Sequence, residues 1–424
     1  MVARGAAILA LFLIGRPSGA ALTPQQRQLN IQSFEYVWTA IHEKHWQTNP
    51  GGLDWQSIHD EFRPRMEAAG SMDAARGVLN EMLGRLHQTH FGIVPSDLYS
   101  NLDAAAGADT TLGIDVRGVD AGVLVTSVEP DSSAFAQGVR PGWEILRIGH
   151  TDLGPIVSKL DETYAGSSLR DLMLRRAILG RLEGAGAAQI EFLDGDGKHV
   201  SKTLAPGLQK GERVEFGYFT PMRVWFKSSR VGDGNIGYAA FNVFLDAQRL
   251  MTSFGNAVQS CGKCEGFIVD LRGNPGGIGI MAMGMAGWFI AQPDQILGTL
   301  YMRDTTLKFV VNPRLAAFAG PLAILVDGAS ASTSEIMAQG LKDLGRARIF
   351  GTRTAAAALP SVFEKLPNGD GFQYAIANYI SEGGKPLEGL GVTPDVETPV
   401  TRQALLAGKD PALDAAIEWI ESRK

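Results

Sequence analysis

A serine lies at the junction between a strand-like segment and a helical pattern in the C-terminal third of the chain. Residues 321–326 are almost continuously apolar and of strand length, and Ile336, Met337 and Leu341 follow at helical spacing. Ser332 therefore lies where the first amides of a helix point outward without partners. Those amides and the helix dipole favour negative charge on a nearby oxygen, which acyl transfer requires. Ser332 is thus a candidate nucleophile.

The same segment also has a purely structural interpretation. Ser332 and Glu335 fit the Ser-x-x-Glu capping box, in which the hydroxyl only satisfies a helix amide. Capping residues of this kind are common at helix starts. The segment alone does not separate a nucleophile from a cap, so other residues must decide between them.

A glycine-rich loop follows another apolar strand, residues 266–271. Its glycines free the backbone to present consecutive amides to a ligand, and such amides could complete an oxyanion hole with the amide of Thr333. An ordinary turn is the alternative. A phosphate-binding loop would carry a Gly-Lys-Ser/Thr ending, which the segment lacks.

Composition places the chain among soluble globular proteins. Its 424 residues are 45% hydrophobic and 20% charged, and at about 100 to 200 residues per domain this length predicts two to four domains. The net charge of −6 shows no basic excess. A phosphate-neutralising face is therefore not expected, and nucleic acid is excluded as a partner.

The N-terminus has the pattern of a secretory signal peptide. Arg4 precedes an apolar stretch over residues 5–15, and small residues near Ala20 and Ala21 suit cleavage. The stretch is shorter than the ~20 residues that span a bilayer. We predict a signal peptide over residues 1–21, export to the periplasm or the extracellular space, and no stable membrane span after cleavage.

The two cysteines, Cys261 and Cys264, lie in one Cys-x-x-Cys segment. In an oxidising compartment this spacing suits a local disulfide, with a redox-active pair or half of a zinc site as alternatives. A zinc site would need further ligands, and no second Cys-x-x-Cys occurs. A structural disulfide is the preferred interpretation, and no metal or cofactor is predicted.

Pattern changes along the chain divide it into parts. Residues 22–102 form a helical domain, with predicted helices beginning at Thr23-Pro24, spanning 54–69 and following Ser71. A Gly/Ala/Asp-rich linker over residues 103–109 follows. Further along, the predicted elements include a helix around 169–182, a hairpin turning at 194–197, a strand over 372–380 and a helix over 411–421.

The strand-rich segment at 109–206 resembles a PDZ domain. The motif is an apolar strand over 122–128, a Pro-x-Ser-x-Ala helix start, and Gly-Val-x-Pro-Gly-x-x-Ile-Leu-x-Ile-Gly over 138–149. This resemblance implies that Leu112, Gly113 and Ile114 form a loop whose amides bind a peptide C-terminus. The alternative is a degenerate domain that acts only as a scaffold or lid.

Beyond this segment, residues 207–424 alternate strands and helices, as in an α/β core. Four blocks of this region resemble the C-terminal processing peptidases and their tricorn-core relatives. They are Asp-Leu-Arg-Gly-Asn-Pro-Gly-Gly at 270–277, Ser-Ala-Ser-Thr-Ser-Glu-Ile at 330–336, Gly-Thr-Arg-Thr at 351–354 and Glu-Gly-Leu-Gly-Val-Thr-Pro-Asp at 388–395.

The resemblance implies a multidomain α/β protein with an N-terminal helical domain, a PDZ domain and a crotonase-like core. It also implies peptide-bond cleavage through Ser332, with an oxyanion hole formed by Gly276 or Gly277 and by Thr333, the residue after the serine. The processing peptidases pair their serine with a lysine, but Ala357 occupies that position here. Neither Lys342 nor Lys365 matches the family lysine.

The tricorn-like branch uses serine, histidine and glutamate instead. By this resemblance His90, in Thr-His-Phe-Gly, is the base and Glu388 orients it; His87, one turn earlier, competes for the role. A neutral imidazole would take the hydroxyl proton and return it to the leaving amine. Activity should then fall as the pH drops through the imidazole pKa, nominally about 6.5.

The predicted function is that of an exported serine endopeptidase acting on unfolded or C-terminally recognised polypeptides, and a homo-oligomer is compatible with the sequence. Two alternatives remain. A catalytically silent member would bind peptides or apolar small molecules, and a PDZ scaffold would assemble envelope proteins. Replacing Ser332 separates the enzyme from both.

Overall fold

A computed structural model of the chain describes residues 21–96, 110–120, 122–183, 186–217 and 221–423. The first twenty residues of the predicted signal peptide and the predicted linker at 103–109 lie outside the described residues. No helix in the described ranges is both long enough and apolar enough to cross a bilayer.

The first part of the chain is helical, as predicted. The serine, threonine and aspartate caps accept hydrogen bonds from the first helical turns, because Thr23, Asp54 and Ser71 each bind the amide three residues further on. The elements are helix α1 (Pro24–Lys44), a 3₁₀ turn (Pro50–Gly52), α2 (Trp55–Ala68), α3 (Met72–Gly84) and the short strand β1 (Gly92–Val94).

The middle module, residues 110–208, is a mainly antiparallel sheet with two longer helices. Its strands are β2 (Thr110–Thr111), β3 (Ile114–Val119), β4 (Gly122–Val128), β5 (Glu144–Ile148), β6 (Thr151–Asp152), β7 (Ala188–Leu193), β8 (His199–Leu204) and β9 (Gly207–Leu208). Its helices are α4 (Ser133–Ala136), α5 (Gly154–Thr163) and α6 (Leu169–Leu182). The strand order is β3-β4-β5-β7-β8, with β6 paired to β5 and β2 paired to β9.

The C-terminal part is built on a six-stranded sheet. The strands of the whole C-terminal part, of which only some belong to this sheet, are β10 (Glu212–Val214), β11 (Met222–Val224), β12 (Phe226–Val231), β13 (Ile236–Phe241), β14 (Gly266–Asp270), β15 (Ile296–Tyr301), β16 (Thr306–Val310), β17 (Leu322–Val326), β18 (Arg348–Gly351), β19 (Ser361–Lys365), β20 (Gly371–Ala375), β21 (Asn378–Ser381) and β22 (Val396–Glu397). Its helices are α7 (Ala247–Ser260), α8 (Ile280–Ala286), α9 (Thr333–Asp343), α10 (Arg402–Leu406) and α11 (Pro411–Glu421).

The order of this sheet is β12-β13-β14-β17-β18-β22, and only β12 pairs antiparallel to its neighbour. Both faces are covered, as a parallel sheet requires. Phe254, Met285 and Leu341 from α7, α8 and α9 pack on one face. Ala416 and Ile420 from α11 pack on the other. The carboxyl ends of the parallel strands therefore open at one edge, where polar loops gather.

The helical part is joined to the core by strand pairing. Strand β1 pairs antiparallel with β20, and β20 pairs with β19. Phe34 and Phe62 of the helices share one apolar cluster with Phe372 and Tyr374 of the core. The chain segment just before β1 is consequently fixed against the core.

One predicted element is wrong. The single strand expected over 372–380 is two strands, β20 and β21, that belong to different sheets. The chain leaves the β19–β20 hairpin at Ile376, whose amide binds the carbonyl of Pro360, and then joins β15. The segment is rich in aromatic and aliphatic residues throughout, so its sequence gives no sign of this change of partner strand. The predicted disulfide between Cys261 and Cys264 is present, at the end of α7.

Candidate active site

Ser332 is the N-cap of α9 and has an unusual backbone conformation. Its φ is 54° and its ψ is −117°, whereas the cap of α1, Thr23, is extended at −69° and 158°. A positive φ is strained for a residue with a β carbon. The predicted capping box is present, and Glu335 accepts from the Ser332 amide at 2.9 Å. Ser332 is therefore both the N-cap of α9 and a residue with a strained backbone conformation.

The carboxylate of Glu335 is fully buried and organises the surrounding loop. Besides the Ser332 amide, it accepts from the Thr354 hydroxyl at 2.5 Å and from the amides of Ala356 and Ala357 at 2.9 and 3.1 Å. Burial raises the pKa of Glu335 to about 7, although these four donors oppose the rise. The group ties the start of α9 to residues 354–357. Sequence reasoning assigned it only a capping role.

The glycine-rich loop lies directly against Ser332. A β carbon on Gly276 would be 2.7 Å from that of Ser332, so only glycine fits there. The Gly276 amide is already bound to the Asn274 side chain at 3.0 Å. The amides of Gly277 and Thr333 have no acceptor among the described residues, and the Thr333 hydroxyl donates to the Gly277 carbonyl at 2.9 Å. Gly277 and Thr333 are therefore the two available donors.

His90 reaches the same place from the opposite end of the sequence. It lies two residues before β1, has a φ of 63°, and lines one cavity of about 1590 Å³ together with Ser332, Gly276, Gly277 and Thr333. Its ring and the Ser332 hydroxyl are not hydrogen-bonded to each other among the described residues. Catalytic hydrogen bonds often tighten only when substrate binds. His87 is exposed and does not line the cavity.

Glu388 contacts His90 through an intervening residue, Thr89. The His90 Nδ1 atom lies 2.7 Å from the Thr89 hydroxyl, which donates to Glu388 Oε2 at 2.9 Å. Glu388 also accepts from the amides of Thr89 at 2.8 Å and Ala358 at 3.1 Å. Because the hydroxyl proton is engaged by Glu388, the hydroxyl accepts from Nδ1–H. This assignment leaves Nε2 of the neutral ring as a proton acceptor.

Burial perturbs both titratable members of this chain of hydrogen bonds. The pKa of His90 is lowered to about 3, first by burial and second by the positive charge of Arg176. Burial raises the pKa of Glu388, against the opposing effect of its three donors. The imidazole is therefore held neutral, which is the form that a general base requires.

The position of the family lysine does adjoin the serine. Ser332 donates its amide to the carbonyl of Ala357 at 2.8 Å. The Ala357 side chain is buried in the apolar cluster of the middle module and carries no proton acceptor. Lys342 points elsewhere and pairs with Asp395 at 2.8 Å. Neither residue supplies a base here.

The loop proposed to bind a peptide C-terminus is largely self-satisfied. The Leu112 amide donates to the carbonyl of Leu182 at 3.2 Å, and the Gly113 amide donates to the Thr111 hydroxyl at 3.1 Å. Gly113 and Ile114 line a part of the same cavity, while Leu112 is buried. Two of the three amides would therefore need new geometry to bind a carboxylate.

Comparison with protein families matches two separate parts of the chain. A model of peptidase family S41 matches residues 235–398, which include Ser332, Glu388 and the glycine-rich loop. A model of the tricorn protease C1 domain matches residues 30–84. This second match ends just before His90.

Full-length similarity supports the same relationship. The carboxyl-terminal-processing protease of Synechocystis sp. is 24% identical over 417 residues, covering 97% of this chain and 90% of the relative. The solved photosystem II D1 C-terminal processing protease has a TM-score of 0.57 at 20% identity, covering 94% and 97%. Mature CPAF has a TM-score of 0.62 at 15% identity, covering 94% and 96%. The chain shares the multidomain α/β fold of these proteases.

Proposed function

Because the chain belongs to peptidase family S41 and is a serine-type hydrolase, we propose that it is an exported endopeptidase that cleaves unfolded or C-terminally recognised polypeptides. The proposed catalytic residues are Ser332, His90 and Glu388. The observation that carries the proposal is the hydrogen-bonded chain from Glu388 through Thr89 to His90, in a cavity that Ser332 also lines.

The proposed reaction proceeds in two steps. His90 Nε2 takes the proton of the Ser332 hydroxyl as its oxygen bonds to the scissile carbonyl carbon, and the resulting oxyanion accepts hydrogen bonds from Gly277 and Thr333. The imidazolium then protonates the amine as the C–N bond breaks. Water attacks the acyl-enzyme in the same way, releasing the acid and restoring Ser332.

Glu388 acts on this reaction through Thr89. When His90 becomes an imidazolium, its Nδ1–H remains donated to the Thr89 hydroxyl, whose proton is donated to the carboxylate. The carboxylate thus fixes the ring tautomer and opposes the positive charge that develops in the transition state. Lysine is not required, which is consistent with alanine at position 357.

We further propose that the middle module is a PDZ domain covering the catalytic cavity. Its apolar cluster extends into the core through Ala331, Ala355 and Ala357, and Arg117 pairs with Asp327 at 2.5 Å. A polypeptide bound near the module would thereby be delivered to Ser332. Export, this domain assignment and self-association remain predictions.

The proposal is tested by comparing the mature wild-type chain with Ser332→Ala and with Ser228→Ala, a control on an exposed strand position. The substrate is an unfolded, fluorescently labelled protein. Cleavage should fall by about 10⁴-fold or more in Ser332→Ala and stay unchanged in the control. A fluorophosphonate probe should label Ser332 in the wild type and in Ser228→Ala, and should not label Ser332→Ala. A wild type that neither cleaves nor labels would establish the catalytically silent alternative.

A further inference from the structure

Helix α6 of the middle module places two neighbouring arginines, Arg175 and Arg176, in the lining of the catalytic cavity. Arg170 pairs with Asp161 and Asp171 at 2.7 and 2.9 Å, and Arg175 pairs with Asp115 at 3.0 Å. Arg176, the next residue, has no hydrogen bond or ion pair within the described ranges. Arg170 and Arg175 thus each have a carboxylate partner, whereas Arg176 has none.

The Arg176 side chain is directed into the cavity. It lines the space that also contains His90 and Ser332, and it remains accessible to solvent there. Its charge is close enough to His90 to lower the pKa of that imidazole. The surrounding protein and Arg175 lower the pKa of Arg176 itself, and no carboxylate offsets this effect. The cavity therefore contains a guanidinium that forms no ion pair with the described carboxylates.

A solvent-accessible guanidinium with no protein anion can pair with a charged group of a bound molecule. Here the protein supplies no anion, whereas a polypeptide substrate can. A guanidinium presents paired N–H donors that match a carboxylate and bind it in a bidentate manner. The loop of residues 112–114, the other candidate for this task, already uses the amides of Leu112 and Gly113 internally.

From this geometry we infer that Arg176 is a specificity residue that binds a carboxylate of the substrate inside the catalytic cavity. The inference rests on the proposed peptidase function. The carboxylate can be the C-terminal group of the polypeptide or an aspartate or glutamate side chain close to the scissile bond. Both present the same chemistry to the guanidinium, and matched substrates distinguish them.

The experiment uses one cleavable peptide in three forms: with a free C-terminus, with a C-terminal amide, and with its acidic side chains replaced by amides. Wild type is compared with Arg176→Gln, Arg176→Lys and Arg181→Gln. Arg181 lies on the same helix, outside the residues lining the cavity, and donates to a backbone carbonyl. Thermal melting checks that each variant is folded.

We expect the wild type to prefer one carboxylate-bearing peptide over its amide counterpart by about 10- to 100-fold in kcat/KM, the usual range for a charge-assisted hydrogen bond. Arg176→Gln should lose this preference, Arg176→Lys should retain part of it, and Arg181→Gln should keep it in full. Whichever amide substitution abolishes the preference identifies the carboxylate. Absence of any preference in the wild type, or its persistence in Arg176→Gln, overturns the inference.

Binding measurements separate this inference from the proposed function. In a Ser332→Ala background, the dissociation constants of the same peptides should show the same dependence on Arg176 without any turnover. If the wild type cleaves nothing but these constants keep that dependence, the peptidase proposal fails and carboxylate binding stands. If the wild type cleaves but Arg176→Gln weakens every peptide equally, only the carboxylate inference fails.

Discussion

At the scale of single residues, the proposed base is oriented by a hydroxyl. Thr89 contacts Glu388 twice, through its amide and its side chain, and receives His90 on the other lone pair of the same hydroxyl. The Glu388 carboxylate thus orients the His90 ring through the Thr89 hydroxyl. The tautomer of His90 consequently depends on the Thr89 side chain, not on Glu388 alone.

Replacing this hydroxyl gives a direct test. Thr89→Val keeps the shape and the backbone contact to Glu388 but leaves Nδ1–H without an acceptor, so the wrong tautomer becomes accessible. We expect kcat to fall by about 10²- to 10⁴-fold with little change in KM. Thr89→Ser should recover most of the loss. A Thr89→Val enzyme with wild-type kcat, correctly folded by circular dichroism, would show that the bridge has no role.

The titration of His90 should differ from that of an ordinary histidine. Its pKa of about 3 reflects burial and Arg176, while Glu388 acts on the ring only through Thr89. This value lies below the nominal 6.5, which applies to an imidazole before its surroundings shift the pKa. Ring signals in histidine-labelled Ser332→Ala protein, assigned with His90→Gln, should remain those of a neutral ring down to pH 5. A midpoint above pH 6 would contradict the lowered pKa of His90.

The same shift has a consequence for stability. In the unfolded chain the ring would titrate near 6.5, so protons favour unfolding between about pH 6.5 and the folded value. The contribution of His90 is present above about pH 6.5 and is lost as the pH falls towards 3. The drop in melting temperature between pH 7 and pH 5 should accordingly be smaller in His90→Gln than in the wild type.

At the scale of elements, local sequence patterns predict many of the helices and strands, but they do not predict which elements pair with one another. Proline, aspartate and serine at helix starts and the apolar period predicted α1, α3 and α11 well. Strand exchange at Ile376 and the pairing of β1 with β20 depend on residues far apart in sequence. For the same reason His90 and Glu388 came from family resemblance, and the bridging Thr89 was missed.

The junction between α9 and residues 354–357 depends on Glu335. In Glu335→Gln, one carboxylate oxygen becomes an NH₂ group, which faces two donors and satisfies neither. We expect a lower melting temperature because buried donors lose their acceptor. Activity should fall as well, since the Ser332 turn is held by this group.

The pH dependence of that loss has a definite sign. The folded wild type takes up a proton at about pH 7, whereas an unfolded glutamate does so near 4.3. Wild-type stability therefore gains as the pH falls through 7, and the glutamine variant lacks this gain. The difference in melting temperature should be wider at pH 5.5 than at pH 8. An equal or narrower gap at pH 5.5 would mean that Glu335 titrates normally.

At the scale of the whole molecule, three distant parts of the chain close around one cavity. His90 of the helical part, Ser332 of the core and Arg176 of the middle module all line this cavity. The module is held by the Arg117–Asp327 pair and by apolar packing on Ala331 and the 355–357 segment. Docking of the module and the environment of the catalytic groups are therefore coupled.

A second attachment lies at the outer side of the module. Arg402 of α10 donates to the carbonyls of Gly142 at 3.1 Å, Leu193 at 3.4 Å and Asp194 at 2.5 Å, so one side chain ties the C-terminal part to two loops of the module. Arg402→Ala removes all three bonds without altering the cavity lining. Gln403→Ala, at the exposed neighbouring position, is the matched control.

Undocking would expose the core segments that the module covers, at residues 329–331 and 355–357. Because three hydrogen bonds are lost, we expect amide hydrogen exchange in these segments to accelerate by about 10-fold or more in Arg402→Ala. Exchange in β17, which is buried within the core sheet, should not change. Unchanged protection of the covered segments would mean that Arg117 and the apolar packing hold the module without Arg402. Faster exchange in the covered segments alone would show that Arg402 of α10 helps to hold the middle module against the core.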